Sequence, residues 1–465
     1  MKTTESRAAA AARIAAGRVL RMREDLLGRL RPCFARTQTW QQAGWYVSAL
    51  ASDLPTRNGW TIAQRIGDRS PDRTQRLLNR AVWNVWTAMS TVRRFAVDGL
   101  DAVAGRGRRR RMSIGALDET GQQKRGTSTC GVKRQYMGCA GRVENGINTV
   151  HLAYVRERTG HALIGARQWI PAAQITDKAR SRRVGLPAEL AVRTKGQLAI
   201  DLLTDAYRDE VTFDFICGDE VYGNCTELRR FLEEHDQAYV LRVACTVQIE
   251  VLAGVKLTCA QAVARLVRQR QWEVRSAGKG SKGDRWYAWA LIATTSPRHV
   301  LLVRRHLASG ELAFHYCYIP AGRPASLSRL IRAAGLRWPV EECFEFSKDG
   351  FGLDQCQARL YTAIARYTVL VMAALAVCAV AAADLRQRTD TQAPPPATPD
   401  QAPPKDPGMI PLSVPETRRL LAEALARTKP PGHDTHWRNW RRRHQARSRW
   451  FHQRTRLGRQ YALVR

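Results

Sequence analysis

Three acids, Asp118, Asp219 and Glu341, stand at points where a chain tends to keep its chemistry, and Lys348 follows the last of them. The stretch RWPVEECFEFSKDGFGLDQ (337–355) sets Arg337, Glu341 and Lys348 at offsets of four and seven. With Pro339 in the first turn, where the missing N–H has no partner to lose, it reads as a helix. Glu341, Phe344 and Lys348 then share one face, the two charges about 10 Å apart. A carboxylate and a cation held at that separation suit a metal ion with a phosphate backbone running past it. The plainer reading is an amphipathic helix with ordinary surface charges.

The other two acids end candidate strands. MSIGALDETG alternates from Met112, so Met112, Ile114, Ala116 and Asp118 share one face and Glu119 points the other way. VTFDFICGDEVYG is a second buried strand ending in Asp219 and Glu220. Sites in α/β sheets gather at strand ends, so two such Asp and a helical Glu can meet in space. Three close carboxylates repel unless a cation sits among them. Hard oxygen ligands select Mg²⁺ or Mn²⁺ rather than zinc. Two such ions about 4 Å apart activate a water or 3′-hydroxyl and stabilise the leaving oxygen of a phosphodiester. Each acid also has a plainer job: Asp118 and Asp219 can cap turns, and Glu341 can complement a helix dipole. Together, in a chain as basic as this one, the metal reading is the stronger.

The elements that must position these groups follow a coarse pattern. Residues 1–105 read as helical, broken at Asp53-Leu54-Pro55, Asn58-Gly59 and Ser70-Pro71. WTIAQRIGD and DRTQRLLNRAVW look like two small helices joined by a tight turn, with Arg73, Arg76 and Arg80 on the second. That is the outline of a DNA-reading helix pair or of a plain helical bundle, and the pattern does not choose. Strands are expected near 134–140 and 147–155, a helix over 188–209, then NCTELRRFLEEHD as helix and AYVLRV as strand. This amounts to a three-layer α/β unit over 106–244. Residues 245–330 switch to short β-like pieces and read as a β-rich insertion, with the α/β unit resuming over 331–388. The Pro-dense stretch 389–408 reads as an extended linker.

Composition narrows the partners. The chain has 465 residues, 75 Lys+Arg against 41 Asp+Glu and a net charge of +34. A field of that size favours a polyanion: nucleic acid first, an acidic membrane surface second. The run Arg106, Arg108, Arg109, Arg110 and Arg111 reads as a linker or a phosphate-contacting arm. Within the tail over 409–465, the stretch 436–465 interleaves Trp437, Trp440 and Trp450 with ten Arg, Arg441, Arg442 and Arg443 among them. Such a tail can stack aromatics and grip phosphates, or serve as a disordered solubilising segment. The 11 cysteines show no zinc spacing and suit a reducing cytosol. YTVLVMAALAVCAVAAA (367–383) reaches the lower length of a membrane span but reads better as a buried helix. No membrane partner is expected.

ALDETG, GDEVYG and RWPVEECFEFSK together resemble the three acidic motifs of DDE-type transposases from bacterial insertion sequences. GVKRQYMG, the N-terminal RPCFAR…NGW…DRTQRLLNRA and the C-terminal HWRNWRRRHQARSRW are similar to one group of these enzymes, so the resemblance covers nearly the whole chain. It implies an RNase H-like mixed sheet flanked by helices, a helical N-terminal DNA-binding domain and a basic C-terminal tail. It implies Asp118, Asp219 and Glu341 as catalytic and metal-binding residues, with Mg²⁺ or Mn²⁺, two ions, as cofactor. Arg337, Glu341 and Lys348 match three members of the family's Tyr, Arg, Glu, Lys pattern, which assigns Arg337 and Lys348 to DNA contacts. Ala334 stands where the Tyr would be. The resemblance further implies double-stranded DNA (element ends and target) as partner, a homodimer on DNA and a bacterial cytoplasmic protein at the nucleoid. The β-rich stretch looks like that of relatives that pass through a DNA hairpin. The rival expectations are an inactive or domesticated DNA-binding protein, and an endonuclease that does not join strands.

Overall fold

The computed structural model describes residues 2–106, 111–280, 283–323, 326–389, 392–394, 396–398, 400–426 and 429–464. The phosphate contacts expected of Arg108, Arg109 and Arg110 lie outside the described residues.

Five helices open the chain: α1 (Lys2–Leu30), α2 (Thr37–Leu50), α3 (Gly59–Ile66), α4 (Asp72–Asn79) and α5 (Val85–Gly105). The α3 start is fixed by a reciprocal cap. Asn58 Oδ1 accepts the N–H groups of Trp60 and Thr61, and Thr61 Oγ1 accepts that of Asn58. Thr74 Oγ1 donates to the Gly59 carbonyl at 2.8 Å and ties α4 to α3.

From Ser113 the chain builds a ten-stranded sheet. Strands β1 (Ser113–Gln123), β2 (Lys133–Met137), β3 (Arg142–Arg156) and β4 (Gly160–Trp169) form its antiparallel flank. Helices α6 (Ala172–Thr176), α7 (Lys178–Val184) and α8 (Lys195–Arg208) follow. The expected helix over 188–209 begins only at Lys195, because Thr194 and Gln197 form a capping box there. Then come β5 (Phe215–Gly218), the single turn α9 (Glu220–Gly223), α10 (Thr226–Glu234) and β6 (Tyr239–Val243). Strand β5 lies parallel to both β1 and β6, so the centre of the sheet is parallel and its flanks antiparallel.

The stretch 245–330 divides between two structures. Strands β7 (Gln248–Leu252) and β8 (Val255–Thr258) form a separate hairpin, which with α11 (Cys259–Leu266) packs Ile249 and Leu257 against the main-sheet residues Ile292, Leu301 and Phe314 in a second small core. Strands β9 (Glu273–Gly280), β10 (Gly283–Ala293), β11 (His299–His306) and β12 (Leu312–Tyr318) instead continue the main sheet, because β12 pairs antiparallel with β6.

Helix α12 (Leu327–Gly335) leads to α13 (Pro339–Glu345), a π-helical turn at Phe346–Gly350, and α14 (Tyr361–Thr389). The apolar stretch that is long enough for a membrane lies in α14, and its apolar window is wholly buried. Helices α1, α2, α4 and α5 pack on α14, which in turn packs on β4. The α5–α14 approach is close: a Cβ at Gly99 would fall 2.5 Å from Val380. Helix α8 lies over the sheet face that carries Glu119, while α13 and α14 lie over the face that carries Asp118.

Helices α15 (Val414–Ala424) and α16 (His433–Val464) end the chain. Through its first three turns, the basic tail is a docked helix. Trp437 is fully buried and donates from Nε1 to the Asp68 carbonyl at 3.0 Å. Arg441 Nη1 donates to Gln64 Oε1 at 2.7 Å, and Trp440 meets Trp60 edge-on at 4.9 Å. The expectation that Trp437 stacks on DNA is therefore corrected: a ring with no exposed surface in this structure serves packing, and it anchors α16 to α3.

Candidate acidic active site

Burial and strand geometry set Asp118. It follows a run of fully buried β1 residues, and its Cα lies opposite that of His151 in β3. Its Oδ1 accepts the Glu119 N–H at 2.8 Å, and its Oδ2 accepts Arg337 Nη1 at 2.8 Å. Arg337 Nη2 also donates to Glu341 Oε1 at 3.2 Å. One guanidinium thus joins a strand acid to a helix acid, which the chain separates by 223 residues. Asp219 begins α9 and spends one oxygen on the Val221 N–H at 2.9 Å, so it does cap a turn.

Electrostatics couple these groups. Burial lifts the Asp118 carboxyl to about 6, against the pull of Arg337 and with a push from Asp219. Burial, then Glu119, raises Asp219 as well. Burial opposes the Arg337 charge, yet Asp118 and Glu341 hold the guanidinium above its ordinary range. Asp118, Asp219 and Glu341 therefore share the field of one arginine, while Glu119 acts on Asp219 from the side where Lys195 holds it.

Two glycines let the elements close on that region. A Cβ at Gly335, just before Arg337, would lie 1.9 Å from the Ala277 carbonyl oxygen. A Cβ at Gly223, just after Asp219, would lie 1.8 Å from the Arg242 carbonyl oxygen. Only glycine permits either approach.

The neighbouring acids are committed elsewhere. Glu119 accepts the Tyr222 hydroxyl at 2.8 Å and pairs with Lys195. Glu342 Oε2 lies 3.0 Å from His161 Nε2, and His161 Nδ1 lies 3.0 Å from Cys343 Sγ. Burial would lower His161, but Cys343 and Glu342 outweigh it and raise the imidazole above its ordinary range. Glu220 pairs with Arg242 at 3.0 Å.

The cations expected on DNA divide. Arg337 is bonded to the acids Asp118 and Glu341. Lys348 lines a cavity of about 20 Å³ beside His151, because the π turn replaces the regular spacing expected there. Arg106 pairs with Asp384 at 2.5 Å, and Arg111 donates to Thr159 Oγ1 at 2.8 Å. Arg73 pairs with Asp68 at 3.0 Å, while Arg76, Arg80, Arg442 and Arg443 are exposed. Trp440 is half-buried and stacks on His444.

Some participants had no sequence signal. His161 is far from Glu342 in the chain. His151 is fully buried with neither ring nitrogen hydrogen-bonded and sits under Phe344. Trp338 is 46% exposed beside Arg337, with the Arg285 guanidinium 5.6 Å from its ring. Among the described residues, no group of three His, Cys, Asp or Glu is close enough to hold a metal as it stands.

Residues 29–251 match the DDE superfamily endonuclease family, and residues 186–377 match the transposase DDE domain family. No curated protein matches the sequence. Among solved structures, a piggyBac transposase synaptic complex with hairpin DNA is similar at a TM-score of 0.38 and 11% identity. That alignment covers 87% of this chain and 73% of the other.

Proposed function

We propose that the chain is a DDE-type transposase that binds the ends of a mobile DNA element, cuts them by divalent-metal-dependent hydrolysis and joins the 3′ ends to target DNA. The observation that carries this reading is the Arg337 guanidinium shared by Asp118 and Glu341. A positive group already sits among the acids, and their oxygen donors suit Mg²⁺ or Mn²⁺ in its stead. Asp118, Asp219 and Glu341 are the residues that would hold the metal. Bound there, it would supply Lewis acidity to a phosphodiester oxygen and lower the pKa of a water or 3′-hydroxyl.

The chain's own residues do the rest. Arg337 gives up its carboxylates and becomes a donor for a DNA phosphate, a bidentate role its planar fork suits. Lys195 and Tyr222 hold Glu119 in place, and His161 does the same for Glu342. Those partners leave Asp118, Asp219 and Glu341 as the acids available to metal. The parallel centre of the sheet supports an RNase H-like core. Exposed Arg76 on α4 and Arg80 just after it, with Arg442 and Arg443 on α16, supply duplex contacts, and a homodimer assembles on DNA.

The test is Mg²⁺-dependent nicking of a plasmid that carries the element's ends. Asp118→Ala, Asp219→Ala and Glu341→Ala each abolish cutting while DNA retention on gels persists. Glu342→Ala keeps the cut. A Glu341→Ala protein that still nicks overturns the assignment.

A further inference from the structure

On the Glu119 side of the sheet, a cleft of about 600 Å³ opens between β2, the end of β4, the α6–α7 pair and the residues before α8. Four cations line it: Lys133, Arg134, Arg180 and Arg193. None of its lining residues is acidic. Its apolar wall includes the half-buried Trp169 and the exposed Val192, and Lys133 Nζ lies 5.7 Å from the Trp169 ring centre. A cationic patch alone would be unremarked in a chain of net charge +34. A cleft with an indole wall and no acid also opens between Trp60 and α16, so what sets this one apart is its link along the chain to the acid cluster.

The chain links the cleft to the acid cluster by two routes. Arg193 and Thr194 line it, and the next residue, Lys195, is the partner of Glu119. Strand β1 also runs from Asp118 to Gln123, which lies opposite Gly146, the residue that pairs with Lys133. Five strand residues at about 3.4 Å span roughly 17 Å. At a duplex rise of about 3.4 Å per strand that is about five nucleotides, and fewer for an extended strand.

Size decides between duplex and single strand. An equant space of this volume has an edge of roughly 8 Å, narrower than even the major groove of B-DNA at about 12 Å. We propose that this cleft binds an unpaired stretch of DNA strand within about five nucleotides of the phosphate held at the acid cluster. Phosphates lie on Arg134, Arg180 and Arg193, and a base takes the Trp169 face as Lys133 moves to a phosphate. The proposal rests on the transposase reading and adds a strand-binding site to it.

The test uses the full chain in EDTA, so no chemistry is required, and follows fluorescence anisotropy of a labelled single-stranded oligonucleotide and of its duplex. Arg134→Glu with Arg180→Glu weakens single-strand binding at least tenfold and duplex binding less than threefold. The log–log salt slope on single strand falls by about 1.4, as for two lost phosphate contacts. Trp169→Phe retains single-strand affinity, and Trp169→Leu, checked for an unchanged melting transition, loses it. Unchanged single-strand affinity in the double variant, or an equal loss on duplex, overturns the proposal. A protein that never nicks DNA yet shows the selective loss sinks the function proposed above but leaves the cleft standing. A nicking protein whose double variant binds strand normally sinks the cleft alone.

Discussion

Arg337 holds two acids that would otherwise repel, so removing it has a signed consequence. Arg337→Ala strands the buried Asp118 carboxylate and costs about 1–3 kcal/mol in EDTA. Millimolar Mg²⁺ then raises the melting temperature of the variant more than that of the parent; equal shifts would mean that guanidinium and metal do not compete. His151 offers a pH test. Burial, helped by the Lys348 charge, lowers its pKa from 6.5 to about 3. The folded state holds it neutral, so its contribution is present above about 6.5 and is lost as pH falls towards 3. At pH 5 this loss amounts to about 2 kcal/mol, and His151→Leu flattens the acid limb of an unfolding free-energy profile, read from urea denaturation, by that amount. Neither residue's role was legible in sequence. Asp118, Asp219 and Glu341 stood out because expected strand ends and a proline-started helix placed them, although β1 runs on past Asp118 to Gln123, whereas the choice between Glu341 and Glu342 depends on where His161 lands. That contact spans 181 residues and leaves no local trace.

At the scale of elements, periodicity and caps were readable, and pairing order was not. The alternation in MSIGALD and the apolar run FICG carry their strands in their own sequence, whereas the expected helix start at 188 passed over the Thr194–Gln197 cap that sets α8. Nothing local says that β12 should pair with β6 and widen one sheet, since non-neighbouring strands meet through long-range packing. The tail shows the same division. Its arginines read as a phosphate-gripping arm or a disordered segment, whereas the tail is a helix and one of its tryptophans is the anchor. Trp437→Ala costs about 3–5 kcal/mol of the α3–α16 contact. It releases α16 to proteolysis, whereas Arg442→Glu with Arg443→Glu leaves melting unchanged and weakens duplex binding. Limited trypsin digestion and a gel shift separate the two; a Trp437→Ala protein with a resistant tail would refute the docking.

The whole molecule is organised on α14, a helix apolar enough for a lipid bilayer yet enclosed on every side by protein. Four of the first five helices lay their apolar faces on it, so residues 2–105 expressed alone present those faces to water. That fragment precipitates or binds a hydrophobic dye, and co-expression with residues 361–426 restores a soluble pair; a well-behaved fragment would show that the helices have a core of their own. The Gly99–Val380 contact and the Trp437–Asp68 bond also impose an order in time. At about 5–20 residues per second, a ribosome needs roughly 20 to 75 s between making α3 and making Trp437. Throughout that interval the earliest part of the protein waits, unfinished, for the last.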